Sequence, residues 1–468
     1  MKDSPFSSAD FKDSRLAKRA NIVLGTMISQ GSAVVNRNFR NFAPKIAAYR
    51  MMRNAKVTQK GIIEAYGRAC KEETEAVGCN HVLCLQDTCE INYEAHTGRL
   101  HKRGRMPGIV SNKQPGCFLH ACMAVNADTM LPLGFTYMKL WNRRKDAPGC
   151  KERRIQNLDI TEKESFRWCE TLDKTGSLLG RNRTVTVISD RESDIYELLA
   201  RPCGDVRFLI RSNRNRCTGK GEAYLHDKMR GLPSMGAYEF HVPASHGMMA
   251  RKAQMEVRFS QIEIDRPHNR KSDMAASVCL NCIYVSEVPG TTPRGYGRIE
   301  WILLTNHDVR CVEDALRCVG WYRCRWFIEE LFRLLKKKGF RVEDIQLEEE
   351  EGIERNILIA SYAALVSVSL KHVFNHADRF VRIPATHCFS QEQVSAMEIL
   401  MPEFQGNTKK QQNPYPPGSL PWMAWGMARF GCWDCYSYKP GYTTFKSGLD
   451  KFAQTCVMYK AMKDMYNG

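Results

Sequence analysis

The feature that most constrains this chain is a series of short apolar and β-branched runs in its first half, each closed by turn-forming residues. Residues 81–86, 118–125 and 131–140 read as strands, residues 162–172 carry helical spacing, and residues 184–189 form another strand that runs into Asp190. A short helix over 194–199 and a strand over 206–211 follow. Three strands, a helix, a strand, a helix and a strand must bury a sheet against helices, which commits this part of the chain to the α/β class.

That order is the one expected of an RNase H-like (retroviral integrase-like) catalytic domain. Beyond residue 211, alternating runs at 237–242, 253–264, 278–285 and 299–305 predict an inserted, mainly antiparallel β-subdomain spanning about 212–311. One long helix is expected over 321–338, followed by the acidic run 348–351 and an apolar helix over 353–372. Residues 404–418, rich in Pro, Gln, Asn and Gly, mark a linker. A chain of 468 residues exceeds what one hydrophobic core organises. The expected division is a basic helical domain at 1–70, a catalytic domain at 71–372 and a helical oligomerisation domain at 373–468, whose last stretch is aromatic and amphipathic.

Charge narrows the partner. The 69 Lys and Arg exceed the 51 Asp and Glu by 18, a surplus that favours polyanions. Residues 1–70 hold 13 basic and 4 acidic side chains, half of that surplus. Over 10–27 the apolar Leu16, Ala20, Val23, Leu24 and Met27 share a helical stripe, with Arg15, Lys18 and Arg19 mostly off it. A second basic helical stretch near 47–60 contains Arg50 and Arg53. Both read as phosphate-binding surfaces, so double-stranded DNA is the expected partner. The 19 cysteines are odd in number and irregularly spaced, and Cys432 and Cys435 have no second pair to complete a zinc site. Reduced thiols and a cytoplasmic, nucleoid-associated protein are expected. The longest apolar stretch, 357–370, is shorter than the ~20 residues that span a bilayer, so no membrane is expected.

Three acids carry the chemistry. Asp87 and Asp190 each follow an apolar strand, and strand ends can converge across a sheet. Converging carboxylates repel unless a hard cation neutralises them, and Mg²⁺ or Mn²⁺ prefers such oxygens. Glu329 supplies a third carboxylate from a helix, and two ions per site would serve an in-line displacement at phosphorus. Tyr322, Arg325, Glu329 and Lys336 are spaced Y-x2-R-x3-E-x6-K, which on one helix keeps them along one face. There Arg grips phosphate as a fork and Lys as a point charge.

With these residues the chain resembles the DDE transposases of the insertion-sequence-four family, which carry the YREK signature. The likeness extends from FSSADFKDSRLAKR and AAYRMMRNAKV, through LCLQDTCEINY, EKESFRW, VISDRESDIYELL and RFLIRSNRNR, to GSLPWMAWGMARFG near the C-terminus. The resemblance implies that Asp87, Asp190 and Glu329 are the catalytic metal ligands. It implies DNA contacts by Tyr322, Arg325 and Lys336, and a base-stacking role for Trp301; Arg191 and Arg211 are further candidate DNA contacts. Gly339 stands one residue from the family's position, which leaves Lys336 and Lys337 both open for the lysine role. The expected function is cut-and-paste transposition: a homodimer binds terminal inverted repeats, synapses two ends, cleaves through a hairpin and joins 3′-hydroxyl ends to target DNA. The alternatives are a catalytically silent DNA-binding inhibitor or domesticated derivative, and a stand-alone RNase H-like metal-dependent nuclease.

Overall fold

The computed structural model describes residues 4–39, 41–96, 108–111, 114–143, 158–202, 204–221, 223–242, 249–268, 270, 273–336 and 339–467. Its longer strands are β1 (His81–Asn92), β2 (Gly116–Asn126), β3 (Pro132–Trp141), β4 (Thr184–Ser189), β5 (Val206–Arg211), β6 (Gly236–Val242), β7 (Arg251–Asp265), β8 (Ser277–Glu287) and β9 (Glu300–Thr305), with two-residue strands at Cys217–Thr218 and Ala223–Tyr224. Its main helices are α1 (Ser14–Gln30), α2 (Phe42–Met52), α3 (Gln59–Ala76), α4 (Phe166–Leu179), α5 (Val312–Arg323), α6 (Trp326–Leu335), α7 (Glu350–Asn375), α8 (Gln391–Phe404), α9 (Leu420–Phe430) and α10 (Tyr442–Asn467). The chain is mixed α/β and forms two compact units, each discontinuous in sequence. One comprises Met1–Cys79, Thr88–Gly149 and Phe327–Gly468; the other comprises Asn80–Asp87 and Cys150–Trp326.

The first unit gathers both termini. Asp13 caps α1 by accepting from the Arg15 amide, and Thr58 caps α3 by accepting from the Gly61 amide. The stripe of Ala20, Val23, Leu24 and Met27 is fully buried, as the helical period requires. The basic stretch expected near 47–60 is divided between α2 and α3, because the Asn54–Val57 turn and the Thr58 cap interrupt it. Tyr66 of α3 stacks on Tyr362 of α7 at 4.7 Å and donates to the Leu358 carbonyl at 3.2 Å. At Gly134 of β3 a Cβ would stand 2.7 Å from Cys70 Cβ, so only glycine admits α3 this close. The 26-residue α7 is long and apolar enough to cross a membrane by length and composition, but 83% of its apolar window is buried inside the protein. Helix α9 is buried along nearly its whole length among residues of α7, α8 and α10.

The second unit is a twisted sheet. The first part of β1 pairs in parallel with β4, and β4 in parallel with β5; then β9, β8, β7 and β6 add antiparallel, in that order. The four inserted strands lie within one to two residues of the alternating runs that predict them. Several elements differ from expectation: the helix expected over 162–172 is α4, Phe166–Leu179, and that over 194–199 spans only Tyr196–Leu199. β1 does not end at Asp87 but continues to Asn92, and the alternate residues Cys89 and Ile91 are buried. The single helix expected over 321–338 is two helices, interrupted at Cys324 and Arg325, where the Arg325 amide bonds back to the Tyr322 carbonyl at 3.1 Å in a tightened last turn.

Glu354 of α7 carries a pH signature. Its carboxyl is pushed up to about 7, first by burial, then by Glu350; the Gln59 amide and Arg355 pull it down, and Glu351 adds to the rise. Gln59 Nε2 donates to Glu354 Oε2 at 2.5 Å. A folded-state value above the ordinary 4.5 means that the native protein holds this proton more tightly than the unfolded chain does. Stability therefore falls as pH rises from the ordinary value to the raised one. Glu354→Gln should leave the melting temperature unchanged at about pH 5 and raise it relative to the parent at about pH 8; scanning calorimetry at both pH values checks this.

Candidate active site

Local folding brings two of the three acids into register. Leu85 of β1 faces Ile188 of β4, and two residues further on stand Asp87 and Asp190. The ladder stops at that pair, so both aspartates follow its last paired residues by the same number of positions, Asp87 within β1 and Asp190 in the turn just after β4. Asp190 caps the short turn Arg191–Ser193, its Oδ1 accepting from the Glu192 amide at 2.9 Å. Asp87 Oδ2 accepts from Arg325 Nη1 at 3.1 Å. The Arg325 side chain, 17% exposed, thus meets a carboxylate 16% exposed, where the charge is little screened.

Burial raises the Tyr322 phenol above its ordinary value; Arg325 and Arg211 oppose that rise and Asp190 adds to it. The Trp301 ring packs edge-on against Tyr322 at 5.5 Å and against Phe240 at 5.6 Å, and the Arg323 guanidinium covers Phe240 at 4.6 Å. Arg211, at the end of β5, donates to the Glu300 carbonyl at 3.1 Å. Arg191 is exposed in the turn after Asp190. Asp87, Asp190, Trp301, Tyr322, Arg325, Arg191 and Arg211 all belong to this one unit.

Glu329 and Lys336 belong to the other unit. Glu329 sits in the first turn of α6 and Lys336 in the turn that closes it. The four signature residues therefore do not share one helix, and the spacing argument for a single face fails at the Cys324–Arg325 interruption. Gly339 has its own reason: a Cβ there would lie 1.8 Å from the Leu334 carbonyl oxygen, where the chain folds back and the Phe340 amide reaches that same oxygen at 2.7 Å. Lys337 lies outside the described residues. Among the described residues no group of three or more His, Cys, Asp or Glu is placed to hold a metal ion.

Arg167 was missed by the sequence reasoning, although EKESFRW contains it. It is buried on α4, donating to the Glu164 carbonyl at 2.9 Å and to Glu192 Oε2 at 2.6 Å. Burial lowers its affinity for a proton, while Glu192, Glu164, Asp190 and Asp87 draw it back up. It is thus a second fixed positive charge beside the aspartate pair. The available signal was a cation among the apolar residues Phe166, Trp168 and Leu172 of an amphipathic helix.

In the N-terminal region Arg15, Lys18, Arg50 and Arg53 are exposed and Arg19 is half-buried. Arg15 pairs with Asp13 at 3.3 Å and Arg53 with Glu349 at 3.6 Å. Residues 2–57 match the family model described as transposase DNA-binding. This match supports a DNA-binding transposase and DNA as the partner.

Trp301 contributes packing as well as any ligand contact. Removing its half-buried ring strips two edge-on aromatic contacts, so Trp301→Ala should cost about 2 kcal/mol and Trp301→Phe less. Thermal unfolding of the two variants measures this, and equal stability of both with the parent would show that the ring packs on nothing that matters to the fold.

Proposed function

We propose that the chain is a cut-and-paste DNA transposase of the DDE type, with an RNase H-like catalytic domain built on Asp87, Asp190 and Glu329. The observation that carries this reading is that Asp87 and Asp190 both lie two residues past the last pair of the β1–β4 ladder, with Arg325 bonded to Asp87 and Arg167 within the field of both, in a chain whose residues 2–57 match a transposase DNA-binding family. Two adjacent carboxylates are a donor set suited to a hard divalent cation. Glu329 follows Arg325 by four residues, and we assign it as the third ligand. Bound there, Mg²⁺ or Mn²⁺, as two ions, would activate a water or a 3′-hydroxyl and stabilise the leaving oxygen at phosphorus.

The protein's own groups do the rest. Arg325 and Arg167 offset the charge of the aspartates, and Arg325 presents a planar fork that suits a flanking phosphate. Tyr322, kept protonated by burial, offers a hydroxyl donor beside that phosphate. Trp301 offers an aromatic face to a base extruded at a hairpin turn. Lys336 is assigned to the phosphate backbone, and Arg15, Lys18, Arg19, Arg50 and Arg53 to the element end. DNA competing for Arg53 would displace Glu349.

The test is a labelled duplex spanning a candidate element end, incubated with and without Mg²⁺. Asp87→Asn, Asp190→Asn and Glu329→Gln should each reduce cleavage at the element boundary by more than about a hundredfold, from loss of metal-assisted activation, while gel-shift affinity stays near that of the parent. Cleavage at the parental rate in any one variant removes that residue from the assignment.

Pairing of two ends calls for a homodimer, and we place its contact on the far end of α10. There Val457, Met458, Met462 and Met465 are 70%, 66%, 55% and 82% exposed, whereas Tyr442, Phe445, Leu449 and Phe452 are buried in the core. A chain ending at Cys456 keeps the buried residues of that core and, of the described residues packed against it, loses only the partly buried Tyr459. It should bind one end as the parent does and fail to form the slower-migrating two-ended complex in a native gel. A two-ended complex of normal yield would move the contact elsewhere.

A further inference from the structure

Asp194 stands four residues after Asp190 and meets an opposite environment, with its side chain 0% exposed. Its Oδ2 accepts from the amides of Asn213 at 2.7 Å and Arg214 at 2.9 Å. Its Oδ1 accepts from Arg216 Nε at 3.0 Å and Nη2 at 2.7 Å. Arg216, itself 5% exposed, also donates to the Asp194 carbonyl at 2.7 Å. From the other side, His226 Nε2 lies 3.0 Å from Ser212 Oγ, and the His226 amide donates to Asn215 Oδ1 at 2.7 Å. The loop 212–216 is therefore fixed on both flanks, while Asn213, Arg214 and Asn215 are exposed. The Arg214 guanidinium makes no ion pair among the described residues.

The sheet places this loop. Ser189 of β4 faces Ile210 of β5, so the next pair in register is Asp190 and Arg211, and the loop leaves β5 at the edge where the Asp190 turn leaves β4. Ser193 Oγ ties that turn together, donating to the Asp190 carbonyl at 2.7 Å. A buried ion pair is a weak source of stability, because desolvation offsets its attraction, but it fixes geometry. Here the fixed object is a basic, exposed loop beside the aspartates.

We propose that Asp194 is a positioning residue that holds the 212–216 loop so that Arg214 contacts a DNA phosphate beside the Asp190 turn. This rests on DNA being the ligand, as proposed above, but not on cleavage. Backbone contacts of this kind are independent of sequence and release counterions, so they are read from the salt dependence of binding.

The experiment uses the full chain, a chelator to remove divalent ions, and a fluorescent duplex of arbitrary sequence, with affinity measured by anisotropy over a range of salt. Arg214→Ala should reduce the slope of log affinity against log salt by about 0.9 and weaken binding about five- to tenfold at about 0.1 M salt, as expected for one lost phosphate contact. Arg214→Lys should keep the parental slope. Asp194→Asn should lose the same slope, and adding Arg214→Ala to it should lose nothing more. Should Asp194→Asn fail to melt cooperatively because Arg216 is left charged and buried, Asp194→Leu with Arg216→Met removes both partners, and the same loss is expected. An unchanged slope in Arg214→Ala overturns the DNA contact. A parental slope in the folded Asp194 variant, or losses that add in full, overturns the positioning role. Because no metal is present, failure of Asp87, Asp190 or Glu329 as cleavage residues would leave this result standing.

Discussion

Two carboxylates, one in β1 and one in the turn that follows β4, each two residues past the last pair of the β1–β4 ladder, are the constraint from which the charges of the second unit follow. At an effective dielectric of about 20, two unit charges about 5 Å apart repel by about 3 kcal/mol. The chain meets that cost with arginines from distant parts of the sequence, Arg325 by direct contact with Asp87 and Arg167 through the field of the group. Neither guanidinium can shed its charge at any ordinary pH. The result is a permanent arrangement of alternating sign. The Arg325–Asp87 pair, 17% and 16% exposed, is too buried for the solvent screening that weakens surface pairs.

Much of this was legible in the sequence, for a physical reason. Strands β4 and β5 match their expected bounds because their runs of Val, Ile, Leu, Phe and β-branched Thr are nearly all buried, with Arg207 the one internal half-buried position. β1 was read short because Asp87 and Thr88 look like a turn; they are two half-exposed positions after which Cys89 and Ile91 resume the alternation. The break between α5 and α6 was not legible. Neither Pro nor Gly occupies Cys324 or Arg325, and the interruption is made by backbone bonds to Trp321 and Tyr322 that residue types do not announce. Spacing in a sequence fixes a helical face only while the helix is continuous.

The C-terminal region shows the same limit from another side. An aromatic, amphipathic stretch such as GSLPWMAWGMARFG fits an interface and a core equally well on composition, since both bury Trp, Met and Phe. The structure puts Trp422, Met423, Trp425 and Met427 in the core, and leaves apolar exposure to the last turns of α10, where Val457, Met458, Met462 and Met465 face outward. Methionine suits such a surface because its flexible side chain adapts to a partner without a preformed pocket.

Asp190 and Asp194 show how environment divides the work of identical side chains. Both lie in the segment VISDRESDIYELL, four residues apart, and only Asp190 directly follows the apolar strand. Asp190 leaves β4 at its edge, caps a short turn with one oxygen and stays half-exposed. Asp194 points inward, where four donors from residues 213, 214 and 216 saturate both of its oxygens. A carboxylate so fully satisfied has little left to offer a ligand, whereas one held by a single amide can still take one. The turn between them therefore joins a half-exposed edge to a fixed interior within four residues of chain.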